Sequence, residues 1–373
     1  MTKRQLADRA DDARGAPNGR HLGRYQLGPL LGTGGMAEVF KATDTSAVGD
    51  RRTVVVKRIL PTHSHDTEFV RLFMAEAKIL GLCHHPNVVE AYDFGESGGV
   101  PFLVLEYVDG PSVSGALSTL RASGRKMPME VAAHFAHEVC QALEYVHTLK
   151  GEDGAPLKTI HRDVTPSNII LTNAGGIKLL DFGVARYRAS DLPTSDGPIQ
   201  GKVPYLAPEA LEGKAIDCRV DLFSLGVVLH EMLTLTRLFQ SDSHVAAARK
   251  ILTLPMAPPS KTRPSVPPEL DAIVMKALER DPANRYQTAR EMASDLQWFV
   301  SDSGLKKDRI QAFVDGLNML TPPRMSPGEV TVTIVDEVPR RRGRGRVLFD
   351  RIARLVLRNA VAKGKPSAPR HGR

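Results

Sequence analysis

The sequence predicts an α+β protein in which a β-rich part precedes a larger helical part. Short β-type runs begin at Tyr25, whereas apolar residues recur every three or four positions after Val108. With 373 residues, the chain is long enough for one large two-lobed unit or for two domains. Its 42% hydrophobic and 25% charged residues are ordinary for a globular protein.

The net charge of +8 is carried by the two ends of the chain. Residues 1–24 hold six basic and three acidic groups, and residues 301–373 hold sixteen and seven. The span 25–300 therefore holds 28 basic and 32 acidic groups, which argues against a DNA-binding core. Residues 1–22 are polar and show no periodicity, so we expect a disordered lead-in.

Cysteine usage and hydropathy indicate the compartment. Cys83, Cys140 and Cys218 are far apart, and each lies in or beside an apolar run. This pattern predicts buried, reduced thiols rather than a disulfide or a metal site. No stretch has the roughly 18 apolar residues of a membrane span, and the N-terminus lacks the apolar core of a secretory signal. We therefore expect a cytoplasmic protein.

A glycine-rich turn separates the first two predicted strands. Its glycines allow backbone N–H groups to approach phosphate oxygens closely. A dinucleotide-binding turn would open a helix, but the residues after Gly35 continue as a strand. The next strand, 53–59, carries Lys57, and an amphipathic helix follows over 68–82. Glu76 lies on the middle turn of this helix, where a lone glutamate would ordinarily be a solvated surface group.

Two further strands are predicted over 87–94 and 101–108, and helices follow over 129–149 and 221–233. The second of these helices is apolar nearly all round, as expected for a buried helix. A last helix is predicted over 281–300, and the Ser/Thr/Pro/Asp-rich segment 185–200 is typical of a mobile loop.

Three residues with catalytic chemistry lie around a predicted strand–turn–strand ribbon. Asp163 and Asn168 precede its first strand, and Asp181 follows its second strand. A carboxylate and an amide suit a divalent metal, and a second carboxylate can accept a proton. The sequence therefore predicts a metal-assisted site at one end of the ribbon.

From about Tyr25 to Val300, the sequence resembles a protein kinase of the bacterial serine/threonine type that is similar to eukaryotic kinases. The resemblance implies a bilobal fold. A small, mainly antiparallel N-lobe with one helix would span 23–106, and a larger, mainly helical C-lobe would span 107–300. The match rests on nine features in order: the glycine loop, Lys57, Glu76, His161-Arg162-Asp163, Asn168, Asp181-Phe182-Gly183, Ala207-Pro208-Glu209, Asp221 and Arg285.

The resemblance also implies a mechanism. ATP would lie between the lobes, with Lys57 oriented by Glu76 and magnesium held by Asn168 and Asp181, while Asp163 accepts the proton of the substrate hydroxyl. Ala37 replaces the usual third glycine, from which we expect a stiffer loop. An ion pair is expected between Glu209 and Arg285. The residues implied in nucleotide binding are Leu31, Gly32, Thr33, Gly34, Gly35, Met36, Ala37, Glu38, Val39, Lys57, Glu106 and Val108.

Two positions depart from the family pattern. Thr165 stands where most serine/threonine kinases have a lysine, and Lys202 stands where they have a threonine. We hypothesise that the two residues have exchanged places, so that Lys202 supplies the cation for the γ-phosphate. The alternative is that Lys202 points to solvent. Candidate autophosphorylation sites in the same segment are Ser190, Thr194 and Ser195.

The predicted function is phosphoryl transfer from ATP to hydroxyl groups of protein substrates in bacterial signalling. The alternative is a pseudokinase, an ATP-binding scaffold without transfer. Such a protein would be expected to lack Lys57, Asp163 or Asp181, and all three are present.

The remaining residues form an extension, 301–339, and a basic tail, 340–373. An amphipathic helix is predicted over 305–320, and a strand over 330–335. The tail holds twelve basic groups and one acidic group. It is predicted to contact an anionic membrane or an acidic partner; the alternatives are a solvated, disordered tail and, less favoured, nucleic acid binding.

Overall fold

A six-stranded antiparallel sheet forms the N-lobe of the computed structural model, which describes residues 21–46, 51–183 and 203–320. The spatial order of the strands is β1-β2-β3-β4-β6-β5, and one helix, α1, packs against the sheet. This arrangement confirms the predicted lobe. The strands are β1 (His21–Leu22), β2 (Tyr25–Thr33), β3 (Ala37–Asp44), β4 (Arg52–Ile59), β5 (Ala91–Ser97) and β6 (Val100–Glu106), and α1 is Thr67–Leu82.

The alternation of side chains along β4 determines on which face of the sheet Lys57 lies. Val55 and Ile59 belong to the main core, whereas Val54 and Val56 belong to a smaller apolar cluster on the opposite face of the sheet. Successive strand residues face opposite sides, so Lys57 lies on the same face as Val55 and Ile59. The sequence pattern of β4 therefore directs this lysine toward α1.

Strand β1 corrects the predicted N-terminal boundary. His21 pairs with Gln26, Leu22 pairs with Tyr25, and Leu22 is buried. His21 and Leu22, which the sequence placed in the lead-in, therefore belong to the folded sheet, because burying Leu22 extends its outer apolar cluster.

The C-lobe is mainly helical, as predicted. Helix α3 packs against α8 and α5, and α5 is buried along its whole middle, from Val220 to Leu233. That burial confirms the expectation from its apolar sequence. The helices are α2 (Val113–Ala122), α3 (Met129–His147), α4 (Pro208–Leu211), α5 (Arg219–Thr234), α6 (His244–Thr253), α7 (Pro268–Ala277), α8 (Ala289–Asp302) and α9 (Lys307–Leu320).

The predicted ribbon is a short hairpin between the lobes. Its strands are β7 (Ile169–Leu171) and β8 (Ile177–Leu179), which pair antiparallel. Asn168 immediately precedes β7, and Asp181 follows β8 by two residues. The hairpin therefore presents both predicted metal ligands at the same end.

Two predicted boundaries are wrong by several residues. Strand β5 starts at Ala91 rather than at residue 87, because the preceding segment pairs with β8 instead: Val89 N–H donates to Leu179 O at 3.0 Å. Helix α8 starts at Ala289 rather than at residue 281. Its N-cap is Thr288, whose side chain accepts from Glu291 N–H.

The three cysteines are free thiols. Cys83 and Cys140 are buried as predicted, and burial raises the pKa of Cys83 to about 12. Cys218 is only partly buried, which corrects the expectation for that residue. Within the described ranges, none of the helices is both long and apolar enough to cross a membrane.

Candidate active site

Asp163 and Asn168 are joined directly in the loop before β7. The Asn168 Nδ2 amide donates to the Asp163 side chain at Oδ2 over 2.6 Å and to the Asp163 carbonyl over 2.9 Å. Both residues are almost completely buried. This pair of bonds fixes the amide plane, because the nitrogen must face Asp163.

Lys57 brings three elements of the chain together. Its Nζ atom lies 2.7 Å from Glu76 Oε1 on α1 and 2.9 Å from Asp181 Oδ1 after β8. Burial alone would lower the pKa of Lys57, but Asp181 and Glu76 raise it above its ordinary value. The contact predicted between Lys57 and Glu76 is present, and the lysine is a fixed cation at neutral pH.

The carboxylate of Asp221 holds the loop that carries Asp163. It accepts from His161 N–H at 2.8 Å and from Arg162 N–H at 2.7 Å, and it lies 2.8 Å from His147 Nε2. Burial alone would raise the pKa of Asp221, but the His147 hydrogen bond and the neighbouring donors hold it below its ordinary value. Arg162 adopts a left-handed conformation with φ of 68°. Such a backbone costs about 1–3 kcal/mol and persists only where its surroundings impose it.

His161 links this loop to the residues after β8. Its Nε2 atom lies 2.9 Å from Leu180 O, and its ring centroid lies 4.8 Å from that of Phe182. Burial lowers the pKa of His161, so the imidazole is neutral at pH 7 and Nε2–H is the donor to the carbonyl. The histidine thus ties the Asp163 loop to the Asp181 segment without adding charge.

The side-chain oxygens of Asn168 and Asp181 are suitable ligands for a magnesium ion. The Asp181 side chain is 38% exposed, and the Asn168 amide nitrogen donates to Asp163, so the Oδ1 atom is the part of this amide that can bind a metal. Carboxylate and amide oxygens are the hard ligands that magnesium prefers. Across the described parts of the chain, no group of three or more His, Cys, Asp or Glu side chains is arranged for a metal. The remaining ligands would therefore come from nucleotide phosphates and water.

The glycine loop lies between β2 and β3. Gly34 N–H donates to Ala37 O at 2.8 Å, and a β-carbon at Gly35 would meet nothing within 4 Å. Ala37 is buried and opens β3, so its methyl group packs into the core rather than lining the tip of the loop. Its effect on the stiffness of the loop remains a prediction.

Glu106 and Val108, two of the residues implied in nucleotide binding, lie at and just after the end of β6. Glu106 N–H already donates to Glu90 O at 2.8 Å, which leaves this donor engaged within the protein. The Glu106 side chain lies 2.8 Å from Lys178 Nζ on β8. Val108, two residues on, is buried. The segment is therefore anchored to the hairpin.

Thr165 is the first of the two departures from the family pattern. It is buried, and its hydroxyl has no hydrogen-bond partner in the part of the chain that the structure describes. Lys202 and the candidate autophosphorylation sites Ser190, Thr194 and Ser195 lie outside the described residues.

Glu209 and Arg285 form the ion pair that the sequence predicts. Two bonds of 2.6 Å join the carboxylate to the guanidinium nitrogens, and the Arg285 side chain has no exposed surface. The pair connects α4 to the segment before α8 within the C-lobe interior.

The comparisons with known proteins agree with this geometry. A family model described as "Protein kinase domain" matches residues 25–299, which is more than half of the chain. The chain belongs to the protein kinase family. The bilobal fold and the order of the nine features are those that membership requires.

Several curated kinases resemble this chain. The tyrosine-protein kinase MasK of Myxococcus xanthus is 38% identical over 299 residues, covering 79% of this chain and 46% of MasK. The probable serine/threonine-protein kinase SCO3848 of Streptomyces coelicolor is 40% identical over 281 residues, covering 74% and 40%. The serine/threonine-protein kinase PknB of Mycolicibacterium smegmatis is 36% identical over 350 residues, covering 92% and 53%. The chain thus spans about half the length of these relatives.

Two residues that organise the site were not predicted from the sequence. His147 lies 74 positions from Asp221 and carries no motif, so only the fold reveals that they meet. Lys178 lies on β8, and only the fold shows that its Nζ atom contacts the Glu106 side chain at the end of β6. No local signal in the sequence identifies either residue.

Proposed function

We propose that this protein is a serine/threonine kinase that transfers the γ-phosphoryl group of ATP to hydroxyl groups of protein substrates in bacterial signalling. The observation that carries the proposal is the position of Lys57, which contacts both Glu76 and Asp181 in one arrangement. These contacts join α1, β4 and the segment after β8, so the groups needed for phosphoryl transfer are assembled together.

Each residue then has a defined task. Asp163 accepts the proton of the attacking hydroxyl, and the Asn168 amide holds its carboxylate in place. Lys57, a permanent cation, neutralises oxygens of the α- and β-phosphates. The backbone of the glycine loop covers the phosphates, and the segment from Glu106 to Val108 receives the adenine.

Asn168 and Asp181 would hold magnesium, which offsets charge on the phosphates during transfer. The exposure of Asp181 supports this role, because a carboxylate that is 38% exposed can reach a metal ion while it also contacts the buried Lys57. Asp181 would thus bind the metal, and the contact with Lys57 fixes the orientation of the Asp181 carboxylate.

The test is phosphate transfer from labelled ATP by the wild type and by Asp163→Asn. Asparagine keeps an oxygen acceptor for the Asn168 amide but cannot take the proton, so we expect a folded protein with transfer reduced by about a hundredfold or more. Phosphoamino acid analysis identifies the acceptor. Phosphoserine and phosphothreonine support the proposal, whereas phosphotyrosine alone would assign the acceptor class of the MasK name.

A scaffold without catalysis is the second candidate. ATP binding by a wild type that transfers no phosphate, under conditions where magnesium and a protein acceptor are present, would favour it. The intact contacts of Lys57 with both carboxylates argue for the kinase instead.

We also propose that Lys202 replaces the cation that Thr165 lacks. A buried threonine beside Asp163 offers a hydroxyl but no charge, so the γ-phosphate needs a cation from elsewhere. Lys202→Met should reduce turnover strongly while ATP binding stays nearly intact. A Thr165→Lys/Lys202→Met double variant should regain activity. Full activity of Lys202→Met alone would remove the proposal.

The basic tail, 340–373, supports a further proposal. Its basic residues would draw the kinase to an anionic membrane surface, and the sequence spacing of Arg351, Arg354 and Arg358 predicts that they would share one face of a helix. The full chain should co-sediment with anionic liposomes more than a variant ending at residue 339. Equal sedimentation would leave an acidic protein partner as the ligand to seek.

A further inference from the structure

Helix α9 extends the folded kinase beyond residue 299, where the family match ends. Ile310, Val314 and Leu317 are its buried residues, spaced as one helical face. This face joins the main hydrophobic core. The helix is therefore a packed part of the C-lobe.

One side of α9 contacts the turn of the β7–β8 hairpin. Gln311 Nε2 donates to Asn173 O at 2.6 Å, and Asn318 Nδ2 donates to Asn173 Oδ1 at 2.9 Å. The two residues thus hold both the backbone and the side chain of a single turn residue.

The approach at this turn is close. Gly175 has a φ of +82°, and a β-carbon there would lie 3.2 Å from Ile310 Cγ2. A larger residue at this position would push the turn and the helix apart. The fit at Gly175 shows, independently of the two hydrogen bonds, that α9 and the turn are in close contact.

The turn and the proposed metal ligands lie at opposite ends of one short hairpin. Each strand has three residues and is therefore about 10 Å long. Leu180 N–H donates to Asn168 O at 2.8 Å, which ties the two strands together at the metal end. A tilt at the turn therefore moves both ligands together.

The other side of α9 is anchored away from the hairpin. Arg309 Nη2 lies 2.6 Å from Glu130 Oε1 on α3, and the Phe313 ring lies 6.3 Å from that of Phe135 on the same helix. Helix α9 thus bridges α3, a fixed element of the C-lobe, and the hairpin turn.

We propose that α9 is a positioning element of the phosphotransfer site, in which Gln311 and Asn318 hold the β7–β8 turn so that Asn168 and Asp181 meet the metal in the correct orientation. The inference rests on the proposed roles of Asn168 and Asp181. Gln311 and Asn318 act through the hairpin and touch neither nucleotide nor metal.

The experiment measures manganese affinity by electron paramagnetic resonance, with the full chain bound to a non-hydrolysable ATP analogue. Gln311→Ala/Asn318→Ala removes both bonds to Asn173 and keeps the buried face of α9. We expect manganese to bind about three- to tenfold more weakly, which corresponds to the loss of one or two hydrogen bonds. Binding of the analogue without metal should be unchanged.

Arg309→Ala is the matched control, because it removes an ion pair of the same helix that does not reach the hairpin. Its manganese affinity should equal that of the wild type. Gln311→Lys restores a donor toward the Asn173 carbonyl and, combined with Asn318→Ala, should recover part of the affinity.

The outcomes distinguish the positioning role of α9 from the assignment of Asn168 as a metal ligand. Wild-type manganese affinity in the double variant, or an equal loss in Arg309→Ala, would overturn the positioning role. Asn168→Ala tests the proposed site itself: if it binds manganese as tightly as the wild type, the assignment of the metal ligand fails independently of α9.

Discussion

Two buried ion pairs of this kinase have similar lengths but very different surroundings. Lys57 and Glu76 are 2.7 Å apart in the cleft, and Arg285 and Glu209 are 2.6 Å apart in the C-lobe interior. Lys57 has one further partner, Asp181, which is 38% exposed. The Arg285 guanidinium also donates to backbone carbonyls of Arg219, Glu279 and Arg280.

The difference separates a reactive site from a structural one. The N–H groups of the Arg285 guanidinium all donate to groups of the protein itself, so none is left to bind a ligand. The Lys57–Glu76 pair has instead a partly exposed further partner, Asp181, which is a proposed metal ligand. Burial and a short distance are therefore not enough to identify a catalytic ion pair. The informative feature is a further partner that is partly exposed to solvent.

The largest effect is expected in the C-lobe interior. Arg285→Ala leaves Glu209 buried without its partner, which should lower the free energy of unfolding by about 3–5 kcal/mol in urea denaturation. Arg219→Ala is the control, because its ion pair with Asp217 is partly exposed and should contribute at most about 1 kcal/mol. Equal losses in the two variants would remove the distinction.

In the cleft, Lys57→Met should mainly affect catalysis. Loss of the cation should reduce kcat/KM by about 10²–10³, as for removal of one preorganised electrostatic contact. The loss of unfolding free energy should be smaller than for Arg285→Ala, since cleft water can hydrate Asp181. Steady-state kinetics and denaturation on the same preparation measure both quantities.

The pH dependence of stability should also reflect the C-lobe interior. Burial lowers the pKa of His230 from 6.5 to about 4. In acid the unfolded chain takes up a proton at this histidine while the folded protein does not, so stability falls as pH drops from about 6.5 to 4. The full effect is about 3 kcal/mol at pH 4, from 1.36 kcal/mol per pH unit. His230→Gln should reduce this change of unfolding free energy with pH, measured from denaturation curves. An unchanged pH dependence would show that His230 is not its cause.

The smallest effect is expected behind the cleft. Lys178→Met removes the contact with Glu106, in which both side chains are largely but not completely buried. We expect a loss of about 1 kcal/mol in unfolding free energy, and a change in kcat of less than about threefold, because this lysine contacts no reacting group. A larger fall in kcat would show that the tie between the hairpin and the adenine segment takes part in catalysis.

The sequence predicts the cleft better than the contacts that hold it. Asp163, Asn168 and Asp181 are close along the chain, and the family resemblance pairs Lys57 with Glu76, so these contacts could be anticipated. The support from His147 through Asp221 could not, because 74 positions separate the two residues and no spacing rule joins them.

The boundary errors have similar physical reasons. Hydropathy predicts a strand from residue 87, and tertiary pairing with β8 takes the first residues of that run. The start of α8 did carry a local signal, since Thr288 and Glu291 form the spacing of a capping box. Helix α9 was predicted from its amphipathic pattern, but the surface it covers depends on the folded hairpin.

The contrast between the two ion pairs is tested most directly by a crossed comparison of Lys57→Met and Arg285→Ala. Both variants are assayed for kcat/KM below their melting temperatures and for unfolding free energy in urea. We predict that Lys57→Met loses mainly activity and Arg285→Ala mainly stability, with the folded Arg285→Ala protein retaining most of its kcat/KM. Equal losses of both quantities in the two variants would contradict this prediction.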